Sequence, residues 1–594
     1  MATEPRVSIV MPLYNDEDFV ADALDSCLAQ TLREIEVICV DDASTDDTAR
    51  IVERYQQQDS RITLIRQAEN VSAFQARRAG VAAASAPYVL FLDGDDELFP
   101  RAAELALAEV MSTGSDVVGF GVEIVAADGV PSRLAAALQP VHRELRAPHI
   151  VPSLFPVGEA ANGHLWRYAF ATELLRAAYD GAPDDARFYR ANDLPISFLA
   201  LAHAGRYVSI PDRLYRYHFR RGTSGHRVDS TDRFAFLLSG IVPIDAIADR
   251  VRLVARGAGD GESLLAAYES ARLYIVANVL GYAIRDTTGA LRDECVSMLS
   301  SAVGALDLLR AAAAFCPEAL AAISAQSVSP QHPQPAQRVL LTTRRLDTGG
   351  LQNVLVDQAA RLRAVGREVT IVVFEAADRQ LDVAEGVEVV ELTSTDTLAR
   401  IDEWAALCRE RSIDIVIDHH ILYNEHWPWR ALAAAAMGIP TIGWLHNFAL
   451  RPLFDGSDRI SFLDAHLRAL LSVVTLSPAD VAFWKLRGHN HAVYLPNPPS
   501  PLTLSALAVG GAPRALAARI ELAWWGRLNG TTKQVPHLID VAAELRARGV
   551  DFRLTIVGPD SKNLSAMDVR RYAQQRGVGD AVDLLGDLNQ SELQ

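Results

Sequence analysis

The fold of the N-terminal part of the chain is decided by the stretch VSIVMPLYNDEDFVADALDSCLAQTLREIEVICVDDASTDDT, residues 7–48. It contains an apolar run at 7–11, a helix-like segment, and a second apolar run at 36–40. Further β-rich runs follow at 62–65, 88–92 and 116–125, again with helix-like stretches between them. Strands that alternate with helices predict an open, mostly parallel α/β sheet, because strands buried on both faces read as continuous apolar runs.

Carboxylates follow two of these predicted strands at the point where each strand ends. They are Asp41 and Asp42 after 36–40, and Asp93, Asp95 and Asp96 within YVLFLDGDDELFP at 88–100. In open α/β sheets ligands bind at this edge, and hard oxygen ligands suit Mg²⁺ or Mn²⁺. Magnesium usually binds through one or two carboxylates plus substrate phosphates, so we expect a metal–diphosphate complex here. The alternative is an acidic turn that begins the next helix.

These motifs occur in the order found in a known family. Residues 7–48, followed by ENVSAFQARRAGVAAASAPYVLFLDGDDELFP at 69–100, closely resemble the opening of family 2 glycosyltransferases, which have the GT-A fold. The resemblance extends over roughly residues 6–225. It implies an N-terminal nucleotide-diphospho-sugar transferase domain, which transfers a sugar with inversion and depends on a divalent metal.

The resemblance also implies roles for individual residues. Donor nucleotide contacts would come from Pro12, Tyr14, Asn15, Asp41, Asp42, Arg77 and Asp93, and the metal would be held by Asp93, Asp95 and Asp96. The chain departs from the family at Ser72 and Arg78, where the family usually has Gly and Asn. These departures concern the local turn geometry and the choice of donor.

The catalytic base is expected in FYRANDLPISFLA at 188–200, which resembles the acceptor-side segment of the family. Asp193 matches the catalytic Asp, and Asn192 replaces the usual Glu. A carboxylate here can take the acceptor hydroxyl proton as the hydroxyl attacks the anomeric carbon. From the residues alone, Asp193 could instead be the N-cap of the helix that follows, with Pro195 in its first turn.

Basic and aromatic residues near this segment are further candidates. His218, Arg220 and Arg221 could contact donor phosphates, or could lie in a solvated basic loop. Trp166 could line the acceptor site, but we favour a place in the core.

A second α/β pattern begins at 338, after a helical, Ala/Leu-rich segment and the linker SVSPQHPQPAQ at 327–337. LLTTRRLDTGGLQNVLVDQAARLRAVGREVTIVVFE at 340–375 resembles the first βα unit of family 4 glycosyltransferases, which have the GT-B fold. The resemblance implies donor binding by Gly349, Gly350, Arg527 and Lys533. Two cations near a helix N-terminus can hold a diphosphate without metal. The Glu-x7-Glu segment of the family would fall about where the sequence stops, so we expect the second half to be incomplete.

The predicted fold class is α/β, with a GT-A-like domain, a helical connector and GT-B-like Rossmann-type domains. The predicted segments are 1–125 (GT-A nucleotide-binding half), 126–230 (GT-A acceptor-side half), 231–337 (helical connector and linker), 338–510 (GT-B N-terminal Rossmann-like half) and 511–594 (partial GT-B donor half).

Composition limits the possible partners. The formal net charge of −17 argues against a general nucleic-acid or anionic-membrane surface. Five scattered cysteines without metal spacing indicate a reduced, intracellular protein. No signal-peptide layout or long apolar run is visible. We therefore expect a cytoplasmic protein, with peripheral contact at the inner face of the plasma membrane if its acceptor is lipid-linked. The oligomeric state is not predicted.

The sequence leads to two hypotheses about function. The first is a bifunctional-type glycosyltransferase of polysaccharide or cell-surface glycan biosynthesis, which uses a nucleoside-diphosphate sugar (a UDP-sugar is favoured) and a glycan or lipid-linked acceptor. In the second, only the N-terminal module is catalytic and the C-terminal module is an acceptor-binding scaffold. A sugar nucleotidyltransferase would need a Gly-rich, basic loop after the first strand, and PLYNDEDF offers none. Neither module carries G-x-G-x-x-G after its first strand, which disfavours a dehydrogenase.

Overall fold

The computed structural model describes residues 4–126, 135–136, 138–140, 142–219, 221, 227–330, 335–347, 349–377, 381–422, 424–450, 458–499, 519–530 and 533–588. They belong to two compact units, Met1–Pro496 and Asn497–Gln594. The unit boundary falls at the start of the proline-rich sequence PNPPSP, residues 496–501. The finer division into five segments stays a prediction.

The first unit begins with a nine-stranded sheet. Its strands are β1 (Val7–Leu13), β2 (Ile35–Asp41), β3 (Ile62–Arg66), β4 (Tyr88–Phe91), β5 (Glu97–Leu98), β6 (Val117–Val125), β7 (Glu144–Arg146), β8 (Tyr168–Ala171) and β9 (Arg206–His218). The strand order is β3-β2-β1-β4-β8-β6-β9-β5, and β7 pairs with β9. The strands β3, β2, β1 and β4 are parallel, whereas β8 is antiparallel to both of its neighbours.

The predicted strands of this part are therefore confirmed, and the sheet is parallel from β3 to β4 and mixed beyond β4. All seven residues of β1 are buried, as expected for a central strand covered on both faces. The helices that accompany the sheet are α1 (Val20–Leu28), α2 (Thr48–Gln58), α3 (Ala73–Ala83), α4 (Ala102–Thr113), α5 (Ile150–Leu154), α6 (Thr172–Tyr179) and α7 (Leu194–His203).

The connector is helical, as predicted, and is packed into the unit. Its helices are α8 (Thr231–Leu238), α9 (Val242–Ala246), α10 (Ala248–Gly257), α11 (Gly261–Asp286), α12 (Gly289–Val303), α13 (Ala305–Phe315) and α14 (Leu320–Gln326). Ile244 and Tyr268 belong to the core of the first sheet. Leu299 and Leu308 share a second core with Trp404. The connector thus joins the two α/β parts of the first unit through buried apolar contacts.

No single helix in the described ranges is long and apolar enough to cross a membrane. The helices α12 and α13 reach the length and mean hydropathy of a membrane span only when they are taken together, and the chain bends by 111° between them.

A seven-stranded parallel sheet follows in the same unit. Its strands are β10 (Arg338–Thr343), β11 (Glu368–Val373), β12 (Val387–Glu391), β13 (Ile415–Asp418), β14 (Thr441–Trp444), β15 (Ser472–Thr475) and β16 (Ala492–Tyr494), in the order β12-β11-β10-β13-β14-β15-β16. Its helices are α15 (Gly350–Ala364), α16 (Thr397–Glu410), α17 (Trp427–Ala436), α18 (Arg459–His466) and α19 (Pro478–Leu486).

The second unit contains a three-stranded parallel sheet with its own core, around Ile539, Leu554 and Val569. The strands are β17 (Ile520–Trp525), β18 (Phe552–Val557) and β19 (Val582–Gly586), and the helices are α20 (Val535–Ala547) and α21 (Ala566–Gln575). The apolar runs at 520–526, 552–558 and 581–586 predict three strands, and the structure confirms them. The assignment of residues 338–594 to a GT-B arrangement stays a prediction.

Candidate active site

The carboxyl ends of β1, β2 and β4 meet at one edge of the first sheet. In the parallel register Leu13 lies opposite Asp41, and the backbone N–H of Asp42 donates to the carbonyl of Leu13 at 2.9 Å. On the other side of β1, the N–H of Leu92 donates to the carbonyl of Val10 at 3.1 Å. The register therefore brings together the motifs that the sequence places far apart.

Arg77 lies at the centre of this edge. It is only 4% exposed, and α3 carries it towards the ends of the strands. Its guanidinium donates to Asp93 Oδ1 at 2.6 Å and to Asp193 Oδ1 at 2.7 Å. A third hydrogen bond reaches Asn192 Oδ1 at 2.8 Å. Arg77 thus links the acidic motif after β4 to the predicted catalytic base.

Asp193 immediately precedes α7, but its side chain makes no hydrogen bond that caps the helix. Asp193 thus occupies the N-cap position, with Pro195 in the first turn as the alternative expected, but its carboxylate does not cap the helix. Asp193 Oδ2 instead accepts the backbone N–H of Leu165 at 3.3 Å. Burial raises the pKa of Asp193, the Arg77 charge opposes this rise, and the Asp93 charge adds to it. A buried carboxylate whose pKa is raised is a suitable proton acceptor at a reaction centre.

The remaining acidic residues after β4 have different environments. Asp96 is 2% exposed, and its oxygens accept the Tyr215 hydroxyl and the backbone N–H of His218, each at 2.7 Å. Burial raises the pKa of Asp96 to about 8, with a further contribution from Asp95 and Asp93. Burial and the Asp93 charge raise the pKa of Asp95 to about 6, and Arg221 acts in the opposite direction.

Asp16 joins this cluster, although the sequence analysis missed it. A Cβ added to Gly94 would lie 2.6 Å from Asp16 Oδ2, so the Asp-Gly-Asp-Asp turn passes directly over this carboxylate. Burial raises the pKa of Asp16 to about 7; a backbone hydrogen bond from Tyr14 opposes the rise, and the charges of Asp95 and Asp93 add to it. Its position directly after the Pro-x-Tyr-Asn motif was the signal that could have identified it.

These residues fit a divalent cation only in part. Asp93 Oδ1 is paired with Arg77, and Asp96 bonds to the protein through both oxygens. Over the described ranges, no three His, Cys, Asp or Glu side chains are grouped as a metal site. However, besides burial, the charges of Asp95 and Asp93 raise the pKa of Asp16, and that of Asp93 raises the pKa of Asp95, so negative charge accumulates here that a cation would relieve. The arrangement suits a cation that takes one or two carboxylates here and its other ligands from a diphosphate.

The predicted nucleotide-side residues form a connected turn. Asn15 has a φ of +55° and donates its N–H to Ser44 Oγ at 3.0 Å. Asn15 Oδ1 accepts the backbone N–H of Thr45 at 2.8 Å. Pro12 lies within β1, and Tyr14 is 47% exposed at the surface of the turn. The Pro-x-Tyr-Asn motif thus holds the loop after β2 in place.

The two acidic residues after β2 are both buried. Asp41 Oδ1 accepts the N–H of Ser44 at 3.3 Å. Asp42 is 2% exposed, and its two oxygens accept the backbone N–H groups of Val71 and Ser72, each at 2.8 Å. In this structure Asp42 therefore anchors the loop before α3, and its role as a nucleotide contact stays a prediction.

Ser72 illustrates the cost of the departure from glycine. Its φ is +89°, which L-residues rarely adopt, and its hydroxyl is buried without a hydrogen-bond partner in the described residues. We expect Ser72→Gly to stabilise the protein by about 1 kcal/mol, because it removes the backbone strain and the unpaired hydroxyl. Thermal unfolding measures the change. Ser60→Gly, at an exposed turn position without a positive φ, serves as the control, and an equal gain there would contradict the explanation.

An aromatic stack lies beside the acidic cluster. The Trp166 ring stacks on Tyr215 at 4.7 Å, on Tyr217 at 5.2 Å and on His164 at 4.9 Å between centroids. Trp166 is 4% exposed, so its prediction as a core residue is confirmed. The Tyr215 hydroxyl also accepts the backbone N–H of Asp93 at 3.2 Å. The stack therefore fixes the turn that carries the acidic motif.

The basic candidates have partners within the protein. His218 Nε2 is 2.8 Å from Glu97 Oε1. Arg221 donates to the carbonyl of Asp95 at 3.3 Å and lies over the Phe19 ring. Arg220 lies outside the described residues. Arg221 is thus at the acidic edge, where the prediction of phosphate contact can be tested.

Loss of Arg77 should strongly destabilise the protein. The substitution Arg77→Gln leaves Asp93 and Asp193 without their charge partner in a buried site, which costs about 3–5 kcal/mol. The neighbouring Arg78 pairs with Asp184, whose side chain is 94% exposed, so Arg78→Gln should cost at most about 1 kcal/mol. The thermal unfolding midpoints of the two variants test this. Equal midpoints would show that the Arg77 bridge contributes little.

The predicted donor residues of the second module lie in different units. Gly349 and Gly350 begin α15 in the first unit. Arg527 follows β17, and Lys533 precedes α20, in the second unit. A shared donor site formed by these four residues stays a prediction.

Comparison with known proteins agrees with the N-terminal assignment. Residues 8–156 match the model of glycosyl transferase family 2. The chain is 35% identical over 217 residues to the uncharacterized glycosyltransferase EpsJ of Bacillus subtilis. The aligned residues are 36% of the chain and 61% of EpsJ. It is 36% identical over 128 residues to the putative teichuronic acid biosynthesis glycosyltransferase TuaG of the same organism, covering 22% of the chain and 51% of TuaG. The chain thus spans less than two thirds of these two relatives.

Two further similarities cover more of the chain. The succinoglycan biosynthesis protein ExoO of Rhizobium meliloti is 27% identical over 291 residues, which are 48% of the chain and 82% of ExoO. Among solved structures, S. aureus TarS 1-349 in complex with UDP matches at 21% identity and a TM-score of 0.36, over 55% of the chain and 84% of TarS 1-349. Residues 8–156 thus resemble glycosyl transferase family 2, and both Bacillus subtilis relatives carry glycosyltransferase names.

Proposed function

We propose that the N-terminal domain transfers a sugar from a nucleoside-diphosphate donor, with a UDP-sugar favoured, to a hydroxyl of a glycan or lipid-linked acceptor. The observation that carries this proposal is the Arg77 bridge. It holds the carboxylate of Asp193 and that of Asp93 on one guanidinium, so a proton acceptor lies beside the acidic edge at which a diphosphate can bind.

Each residue then has a chemical task. Asp193 accepts the acceptor hydroxyl proton, and its burial favours the protonated form that results. Arg77 orients Asp193 and Asp93. Asp93 and Asp95 would hold the cation that accompanies the donor. A bound Mg²⁺ or Mn²⁺ would supply positive charge to the diphosphate leaving group. A single displacement of this kind inverts the anomeric configuration.

The relatives indicate a setting for this reaction. TuaG and ExoO are named for the biosynthesis of teichuronic acid and succinoglycan. We therefore propose a role in polysaccharide or cell-surface glycan biosynthesis, in the cytoplasm or at the inner face of the plasma membrane.

Turnover of nucleotide sugars tests the proposal. The full chain is incubated with a panel of UDP-, GDP- and dTDP-sugars in Mn²⁺, with and without candidate acceptors, and the release of nucleoside diphosphate is measured. We expect release from at least one donor, faster with an acceptor and lost with a chelator. Absence of release from every donor, by a protein shown to be folded, would contradict the proposal.

We propose that residues 338–594 carry out a second glycosyl transfer. The parallel sheets on either side of Pro496 and the exposed cations Arg527 and Lys533 support this. Arg527→Gln should then abolish one of two glycosyl products and leave the other. If both products persist, these residues act as an acceptor-binding scaffold instead.

A further inference from the structure

A cavity of about 420 Å³ opens at the carboxyl edge of the seven-stranded sheet. Its walls come from the residues after four neighbouring strands, including Arg344 after β10, Glu375 after β11 and His420 after β13. The strand order reverses direction at this point, since β11 and β12 lie on one side of β10 and β13 lies on the other. Ligands of open α/β sheets bind at such a switch point.

The charge of the cavity is unbalanced. Four arginines line it, against two carboxylates: Arg344, Arg400, Arg430 and Arg459, against Glu375 and Glu425. Glu375 already pairs with Arg344 at 2.5 Å and with Arg345 at 2.7 Å. Glu425 pairs with Arg459 at 2.9 Å. Arg430 pairs with Asp418, which lies outside the lining. The positive excess among the four arginines is therefore carried by Arg400, in a chain whose net charge is −17.

Arg400 carries much of this excess. Its Nε donates to the carbonyl of Ser394 at 3.0 Å, and no carboxylate of the described residues forms an ion pair with it. Burial is the main cause that lowers the pKa of His426, and the charge of Arg400 lowers it further. It also lowers the pKa of Arg430, for which burial is again the main cause. Arg400 is therefore close enough to His426 and Arg430 to act on them electrostatically.

Two buried polar atoms in the wall lack partners in the part of the chain that the structure describes. They are Nε of Arg430, a residue 6% exposed, and Nδ1 of His420. Arg430 pairs with Asp418 at 2.9 Å through Nη2, and its guanidinium lies 4.2 Å from the centroid of the Phe374 ring. Buried polar groups are normally hydrogen-bonded, so these two atoms mark this wall as unusually polar for a protein interior.

The rest of the lining suits a sugar or polyol. Phe374 and Trp429 offer apolar faces, and Ser394, Thr397 and Asn424 offer neutral hydrogen-bonding groups. The volume lies at the lower end of the roughly 300–1,000 Å³ range of small-molecule sites. The helices α16 and α17 also begin at the cavity, and helix N-termini favour anions.

We infer that this cavity binds a small sugar or polyol that carries a phosphate or carboxylate group, with Arg400 and Arg459 as its anion contacts. Every residue that carries the inference lies between β10 and β15, so it does not depend on the proposed function of the N-terminal domain. It names a ligand within the segment 338–594, and its test does not require that this segment transfers a sugar.

Calorimetry on the full chain tests this inference. The probes are inorganic phosphate, glucose 1-phosphate, glucuronate and neutral glucose, each titrated in the presence of a chelator so that the metal-dependent edge of the first sheet is not engaged. We expect glucose 1-phosphate or glucuronate to bind and neutral glucose to bind at least about tenfold more weakly, because charge-assisted hydrogen bonds to Arg are lost. The stronger of the two anionic sugars identifies the group as phosphate or carboxylate.

Substitutions locate the binding. Arg400→Gln should weaken binding of the anionic sugar at least about tenfold, whereas Arg409→Gln, an exposed position on the same helix, should leave it unchanged. If Arg400→Gln does not fold, Arg459→Gln gives the same comparison. The inference is overturned if no anionic probe binds, if glucose binds as well as glucose 1-phosphate, or if Arg409→Gln weakens binding as much as the cavity variant does.

Discussion

Asp193→Asn is expected to lower kcat for glycosyl transfer by about 10²–10⁴-fold, while the affinity for the nucleotide changes little. An amide cannot accept the proton of the acceptor hydroxyl. Its single oxygen can still accept the hydrogen bond that Arg77 donates to Asp193 Oδ1. Its NH2 group replaces Oδ2, so the long 3.3 Å bond from the backbone N–H of Leu165 is lost, while the position of the side chain beside Arg77 should be retained. The measurement is the initial rate of transfer at saturating donor, with UDP affinity determined in parallel.

Asp185→Asn is the matched control, since it makes the same change at an exposed position close by in the same domain. Its rate should equal that of the wild type. If Asp193→Asn retains more than about a tenth of the wild-type kcat, Asp193 does not act as the base.

Asp95→Asn is expected to reduce metal-dependent turnover by at least about 100-fold and to weaken the apparent affinity for Mn²⁺. Asp95 is the carboxylate of the acidic turn for which the structure shows neither a pairing with Arg77 nor a hydrogen bond from β9. The substitution keeps the shape of the side chain and removes the charge that would attract a cation. Rates measured across a range of Mn²⁺ concentrations separate a loss of metal affinity from a loss of kcat.

Asp18→Asn, at an exposed position in the loop after β1, controls for the general loss of one negative charge near this edge. Its Mn²⁺ dependence should match the wild type. A wild-type Mn²⁺ dependence in Asp95→Asn would remove Asp95 from the metal site.

The strands of the first sheet were predictable because each is a continuous apolar run, and their parallel order placed Asp41, Asp93 and Asn15 at one edge. The antiparallel insertion of β8 between β4 and β6 was not predictable, because the short run Tyr168–Ala171 carries no pattern that reveals its direction. Local patterns predict elements, but pairing is decided by contacts between distant segments.

The sequence predicted most of the residues that lie at the site, but it did not predict their hydrogen-bond and ion-pair partners. The sequence shows three carboxylates after β4, and we predicted a divalent cation as their partner. The structure adds Arg77 as a partner of Asp93, and directs Asp96 towards Tyr215 and His218. The two partners of Asp96 lie more than a hundred positions away in the sequence, and no local pattern predicts such pairings. Asp16 was missed because only the close passage of Gly94 brings it into the cluster.

The packing of the connector helices was likewise not predictable from the sequence. Its helices were evident from composition, but their burial against both sheets was not, because the Ala/Leu pattern does not say which surface an apolar face covers. Arg310, which pairs with Glu269 and with Asp402, ties the connector to α16.

The most direct test of the central claim is the binding of Mn²⁺ to the full chain with and without UDP. If the acidic edge is completed by a diphosphate, Mn²⁺ should bind weakly to the free protein and at least about tenfold more tightly when UDP is present, after correction for the Mn²⁺–UDP complex in solution. The enhancement should disappear in Asp95→Asn. Equal Mn²⁺ affinity in the presence and absence of UDP would contradict the assignment of this edge as a metal–diphosphate site.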